Sequence, residues 1–573
     1  MRSNDRDDPA HVKRVVVVGG GVAGLYTAWR ILQDSTTQYR VDVYEGLSRI
    51  GGRLLSKEIP DLPFRAELGA MRFRRNHHLL AGLIEAMDLS IAEFNFSDPM
   101  YFLRGRRMSQ HELIRGSCAS CGGELPFRLQ PKEQGLTPAA LVLDVIERMV
   151  ADLNFPGLHQ TRAQRLKRRL ETTLLQHLPE SAWMDIRNHG RIGDVPLSDL
   201  GFWNVLQHYL SNEAFSLVRD ALSLESVMGN WNAAEAIPWY VADFSSDELF
   251  TIRAGFGELA RVLAERISSH PNGEIHLGNP VRRVLHHHWT QADQAWQIEF
   301  DDGTGTHANA VILAVGRSAL EKMDIFLTAE GEIDQIPDRW KPQWVTNVRS
   351  HRLFKIFLVY DSEWWMGDKL PGGDAGRVFT DLPLRQVFYL SPSWMKSHGV
   401  EDASEKIKRP AMILASYSDE HFALFWEPVE SSERKHFRVP SGYPNELLSD
   451  ECLATERMVD KVHHQLCVLH GRDVPKPMFG FFADWGRMPF GGGWHTWEVS
   501  TQPWKNYRER TVISDGLYLC GEAYSREQGW IEGALKTAEC VLQELGCKQP
   551  PSWLKLPNGI NYSEYIGVTS AEE

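Results

Sequence analysis

The 573-residue chain is poor in cysteine, with seven, and has no surplus of positive charge, 62 Lys and Arg standing against 75 Asp and Glu for a net charge of −13. Seven scattered cysteines make no disulfide framework, so free thiols and a cytoplasmic setting are expected. The acidic balance excludes a general nucleic-acid-binding surface. No apolar run approaches the roughly 18 residues a membrane span needs, and the polar start from Met1 to Asp8 has no hydrophobic leader core. A soluble protein without membrane or nucleic-acid partners is expected. No metal is expected either: Cys118 and Cys121 form the only close pair, and a zinc site takes about four ligands. With 43% hydrophobic residues, a chain of this length calls for two or three cores.

What is present starts at Arg14. Val15 to Val18 read as a buried parallel strand, broken by Gly19-Gly20-Gly21-Val22-Ala23-Gly24 into a turn that opens a helix running to about Leu32. Gly19 permits the tight turn, Gly21 lets backbone approach a pyrophosphate, and Gly24 lets helix pack on strand. The N–H groups at Val22 and Ala23 open the helix toward the phosphates. Val41 to Tyr44 form a second strand. Glu45, followed by Gly46, stands at its tip about 20 residues past the last glycine, where a carboxylate can hold ribose hydroxyls. Strand, glycine turn, helix, strand and acid together make an adenine-dinucleotide cradle.

Glu45 followed by Gly51-Gly52-Arg53 resembles the N-terminal signature of the flavin amine oxidase family, whose members bind FAD and oxidise C–N bonds. The resemblance implies that Gly52 runs beside the flavin phosphates and that Arg53 is a charge partner for pyrophosphate; as residues alone, Arg53 could equally be a surface cation. Gly69-Ala70-Met71-Arg72 is similar to the Gly-Pro-Met-Arg motif of L-amino acid oxidases, with Ala70 in place of proline. Small residues suit a close pass by the flavin ring, and a guanidinium fork at Arg72 suits an α-carboxylate. Plain amine oxidases have no arginine there. A structural ion pair between Arg72 and Glu67 is the alternative.

Further along, Leu141 to Leu153 has a helical apolar pattern, and Thr161 to Leu178 is a basic amphipathic stretch best read as a solvated helix face. Ser223 to Phe250 is rich in Trp231, Trp239, Tyr240 and Phe244, which serve a core or a lined cavity equally well. The segment Arg253 to Leu259 resembles the family's Gly-Gly-Met element in degraded form. The resemblance implies that Val281, after its turn, gives a backbone contact to adenine. His351 to Val359 alternates as a strand with Lys355 opposite Phe354 and Ile356. The resemblance implies that Lys355 holds a water at flavin N5; an exposed strand lysine would read the same. Tyr389 aligns with the tyrosine that assists the arginine on the substrate carboxylate, although a buried core tyrosine would also read the same. Trp485 resembles a family tryptophan near the ring. Gly521-Glu522 ends a strand, with Glu522 expected to accept from a ribityl or phosphate group. Gly529 and Trp530 are implied to flank the substrate amine, and the helix from Ile531 to about Leu545 turns its N-terminus to the ring, stabilising the anionic reduced flavin.

The expected architecture is α/β. A discontinuous Rossmann-like, glutathione-reductase-like FAD domain takes residues 12–75, 250–325 and 478–548. A mixed-sheet substrate domain takes 76–135, 231–249 and 326–477, and an inserted helical domain, roofing the active site, takes 136–230. The resemblance implies oxidative deamination of an L-amino acid by hydride transfer from Cα to N5, with oxygen as second substrate and a 2-oxo acid, ammonia and hydrogen peroxide as products. A likeness this deep is shared by amino acid 2-monooxygenases, which decarboxylate to an amide, and more distantly by amine oxidases. A homodimer is the family-level expectation.

Overall fold

Val15 and Val17 pack into one core and Val16 and Val18 into another, on opposite faces of the strand Lys13–Val18, which is why all four are apolar. The computed structural model describes residues 12–568 except 34–38, 63, 97–98, 119–121, 154–174, 176–177, 179, 223, 244–247, 287–294, 327–342, 367–375, 391–409, 431–450, 488–490 and 506–509. The basic stretch from Thr161 therefore lies almost wholly outside the described residues, as do Phe244 and Cys121.

The first valine strand sits inside a six-stranded sheet. Its order is Gly273–Leu277, Tyr39–Glu45, Lys13–Val18, Ala310–Leu313, Leu517–Leu519 and Val512–Ser514. The first five run parallel and the last is antiparallel. Residues from the N-terminal, central and C-terminal thirds of the chain thus meet in one sheet, as the discontinuous reading requires. The helix Val22–Gln33 covers one face beside the helices Phe256–Ser268 and Ile531–Glu544. A four-stranded sheet that includes Val281–His286 and Trp296–Phe300 covers the other.

A second sheet has seven strands, in the order Phe479–Asp484, Leu353–Tyr360, Ala411–Asp419, Gln386–Leu390, Arg377–Thr380, Met100–Leu103 and Arg106–Ser109. Its two faces divide cleanly. Leu353, Phe357, Phe388 and Leu414 join the core shared with the helical part, whereas Phe354, Ile356, Ile413 and Tyr389 pack beneath the helix Glu456–His470. Phe479–Asp484 pairs with the Lys355 strand, so the cofactor domain resumes after that strand and not at 478.

The helical part contains Pro138–Asp152, Glu180–His189, Phe202–Tyr209 and Asn212–Leu222. Proline stands at the first helical position, where its missing N–H costs nothing, and Thr137 caps it by accepting from the Ala140 N–H at 3.1 Å. The helix Ala233–Asp243 packs on Glu180–His189 and Phe202–Tyr209; it extends the helical part beyond the expected limit at 230. One cysteine expectation is corrected: Cys118 is disulfide-bonded. Cys452, Cys467, Cys520, Cys540 and Cys547 are not in disulfides.

Candidate active site

The glycine turn is built for a ligand. A Cβ on Gly24 would lie 2.0 Å from the Gly19 carbonyl oxygen, and one on Gly19, at φ 110°, would lie 2.6 Å from that of Ala314. Both must be glycine for the fold itself. Gly21 is different: a Cβ there would meet nothing within 4 Å. It opens onto a cavity of about 990 Å³, the upper end of the range for small-molecule sites. Gly51 N–H donates to the Gly20 carbonyl at 2.8 Å, which fastens the Gly-Gly-Arg segment across the turn. Glu45 accepts from the Gly20 N–H at 2.7 Å and the Leu47 N–H at 2.9 Å and lines the same cavity.

The cavity runs from Tyr44, Gly46 and Val281 past Gly19, Val22, Ala23, Gly52 and Arg53 to Gly69, Ala70, Met71, Arg72, Trp485, Gly521, Gly529, Trp530 and Ile531. Two residues expected there are absent from its wall. Gly24 is interior, consistent with its packing role. Tyr389 requires a correction: it is fully buried on the far face of the seven-stranded sheet, its hydroxyl 2.7 Å from Nε2 of His470. It is the core tyrosine, because it shares strand parity with Val387 and not with the cavity-facing Gln386.

The tyrosine beside Arg72 is Tyr417. Strict alternation along Ala411–Asp419 would put it with Ile413 and Ala415, away from the cavity. A bulge intervenes: Ile356 pairs with Ser416 but Phe357 with Leu414, leaving Ala415 extra. Past the bulge the parity flips, and Tyr417 lines the cavity opposite Lys355. Arg72 is held below its ordinary pKa by burial, with Tyr417 and Asp243 pulling the other way. Glu67 is not its partner: that carboxylate accepts from the Ser56 hydroxyl at 2.7 Å and from the Phe256 N–H at 3.0 Å, capping the helix Phe256–Ser268. Asp243 is bonded to Nε of Arg74 at 3.0 Å. Among the described residues, no carboxylate bonds Arg72.

Lys355 is 1% exposed, not a surface lysine. Its Nζ donates to the carbonyls of Gly69 at 2.6 Å and Glu67 at 3.2 Å. Burial lowers its pKa to about 7, opposed by Glu67 and reinforced by Arg72. Burial raises Glu67 to about 7. Arg53 is no free surface cation: its Nη1 bonds Glu522 at 2.6 Å, leaving Nε and Nη2 uncommitted among the described residues. Glu522 lines the cavity, but its four acceptor positions take Arg53, His495 Nδ1, His495 N–H and Gly529 N–H. It is a bracket for those three residues, in place of the expected acceptor for ribityl or phosphate, and Arg53 and His495 hold its carboxyl far below the usual range despite burial.

Aromatics close one end. Trp231, Trp239 and Trp494 lie with ring centroids 4.9 to 5.9 Å apart, and a Cβ on Gly529 would strike Trp494 at 2.8 Å. Trp530 stands across Gly529, with the Arg74 guanidinium 5.6 Å from its ring centre. Trp485 donates to the Leu68 carbonyl at 2.8 Å. No side chain caps the helix Ile531–Glu544, so its first-turn N–H groups are available to an anion. Thr137, Ala139, Leu222 and Leu224 bring the helical part onto the same cavity.

A parallel-sheet glycine cradle and a second lobe meeting over one long cavity define a dinucleotide-dependent oxidoreductase. The chain matches the model of the flavin-containing amine oxidoreductases over residues 22–541 and belongs to that family. A flavin in an adenine-dinucleotide cradle is FAD. Relatives include Aplysianin-A of Aplysia kurodai, 23% identical over 96% of this chain and 94% of that protein. The L-amino-acid oxidase of Siganus canaliculatus is 21% identical over 91% and 83%, and that of Crotalus adamanteus 21% over 95% and 89%. Among solved structures, an engineered putrescine oxidase with redesigned cofactor binding superposes with a TM-score of 0.59 at 14% identity, covering 94% of this chain and all of that one; the likeness is one of fold.

Proposed function

We propose that this chain is an FAD-dependent L-amino acid oxidase, converting an L-amino acid, oxygen and water to a 2-oxo acid, ammonia and hydrogen peroxide. The observation that carries the reading is Arg72, a half-buried guanidinium bonded to no carboxylate among the described residues and set beside Tyr417 in the cavity. A planar fork plus a hydroxyl suits an α-carboxylate, and fixing it orients the Cα–H. The names of the relatives support the same substrate class.

Gly19, Gly21, Val22, Ala23, Glu45, Gly52 and Arg53 would hold the dinucleotide, with Trp485, Gly529 and Trp530 along its flavin end. Bound there, FAD would supply the two-electron redox chemistry between the substrate C–N bond and oxygen. Arg72 and Tyr417 bind the carboxylate. Trp239, Trp494 and Trp530 exclude water and flank the amine. Lys355, protonated below about pH 7, supplies a positive charge where oxygen is reduced.

The test is a panel of L-amino acids and simple amines with purified protein, reading peroxide and mass-resolved products. Peroxide with 2-oxo acid from amino acids only supports the proposal. Amide with carbon dioxide would replace it by a monooxygenase, and turnover of amines alone would remove the carboxylate clamp. A cytoplasmic homodimer completes the proposal, read by sizing and fractionation; a Cys118 disulfide persisting in isolated protein would move it to an oxidising compartment. Among the described residues no helix is long and apolar enough to cross a membrane.

A further inference from the structure

Gln386 is a polar side chain that the carboxylate clamp leaves unused. It is 4% exposed, lines the cavity, and its amide has no hydrogen-bond partner among the described residues. The amide opens onto the cavity, where a ligand or water can meet it. Its neighbours place it next to the clamp. The Tyr417 N–H donates to the Leu384 carbonyl at 3.2 Å, and Gln386 stands two residues on from Leu384, on the cavity-facing side with Phe388. Phe379 is its register partner on the next strand. Arg377, on the same face of that strand as Phe379, has its guanidinium 5.5 Å from the centre of the Phe379 ring and lines the cavity as well. A few placed polar groups in a cavity wall are the arrangement by which a pocket reads a polar substituent.

The charge around it favours an acceptor. Arg72, Lys355 and Arg377 line the cavity, Arg74 and Asp243 are paired with each other, and Glu248 bonds Arg75. An incoming oxygen is favoured over an incoming ammonium. Tyr417 and Gln386 lie on neighbouring strands, about 4.8 Å apart, and both line the cavity, so one substrate spans the clamp and the amide.

We infer that Gln386 is a specificity-determining residue and that the preferred substrates are L-amino acids whose side chain ends in a carbonyl or carboxylate oxygen, such as L-glutamine and L-glutamate. This rests on the L-amino acid oxidase reading. The test compares kcat/KM of the holoenzyme for L-glutamine, L-glutamate, L-methionine, L-norleucine and L-lysine. The two oxygen-bearing substrates are expected to exceed the apolar ones by about tenfold or more. Q386M should collapse that ratio, and Q386E should lower glutamate against glutamine, a selective change that a merely structural role would not produce. Wild-type preference for methionine, norleucine or lysine, or an unchanged ratio in Q386M that folds and binds FAD, overturns the assignment while leaving the oxidase standing. Should Q386M fail to fold, the wild-type ranking and Q386E decide. Inertness to every L-amino acid would overturn the oxidase reading and this one with it.

Discussion

Lys355 and Tyr417 face each other across two antiparallel strands, with Nζ of Lys355 4.8 Å from the centre of the Tyr417 ring. A single bulged residue, Ala415, brings them together; in the proposed oxidase the lysine would be a cation near the flavin and the tyrosine a hydroxyl for the substrate carboxylate. Tyr417→Phe is therefore expected to raise KM for amino acids about tenfold, the worth of one hydrogen bond to a charged group. Tyr389→Phe should leave KM unchanged and cost about 1 kcal/mol of stability through the lost bond to His470. Steady-state kinetics and urea midpoints on the two variants check both; a KM effect from Tyr389 with none from Tyr417 would reverse the assignment.

Arg72→Ala should lower kcat/KM for amino acids by about 100-fold, as removal of one side of a charge-assisted bidentate contact does, while the protein stays yellow. Amines without a carboxylate should be unaffected or improved. An unchanged KM removes Arg72 from the clamp.

The glycines separate cofactor binding from folding. Gly21→Ala adds a methyl into open cavity, so it should fold with unaltered circular dichroism and bind FAD at least tenfold more weakly, an order-of-magnitude estimate for blocking close backbone approach to the pyrophosphate. Gly24→Ala would force a Cβ to 2.0 Å from the Gly19 carbonyl and should give little folded protein. Equal FAD affinity in Gly21→Ala would place the phosphates elsewhere.

Lys355 has a pKa lowered to about 7 by burial, so its charge is present below that pH and lost above it. If that charge speeds oxygen reduction, the rate constant for mixing reduced enzyme with oxygen falls as pH rises through about 7. Lys355→Met should be slower and flat with pH. A rate that rises across the same window, or a wild-type profile retained by the variant, contradicts the role.

The sequence alone determined the cofactor end of this protein, because that end is written in local backbone rules. Gly19 and Gly24 have φ or contact requirements that only glycine meets, Gly21 leaves the turn open to the cavity, and Glu45 follows at a fixed spacing on the next strand. Arg72 and Lys355 were legible for a related reason: each sits within a few residues of its motif, and the Lys355 strand alternates without interruption.

The substrate end was decided by tertiary structure. Tyr389 and Tyr417 are both strand tyrosines, and only the pairing of their strands separates their roles. Tyr389 belongs to the parity of Val387 and faces the second core, whereas the bulge at Ala415 turns Tyr417 inward; a bulge is defined by its pairing partner, so no single strand announces it. Gln386, Trp494 and Asp243 come from segments up to 250 residues apart that meet only when the sheet and the helical part close over the cavity. Glu522 shows the same limit from the other side: its strand end is readable, but its capture by Arg53 and His495 follows from packing across the cavity. Local sequence specifies backbone geometry residue by residue, while a binding pocket is a juxtaposition of distant residues, and only the folded chain sets which side chains share it.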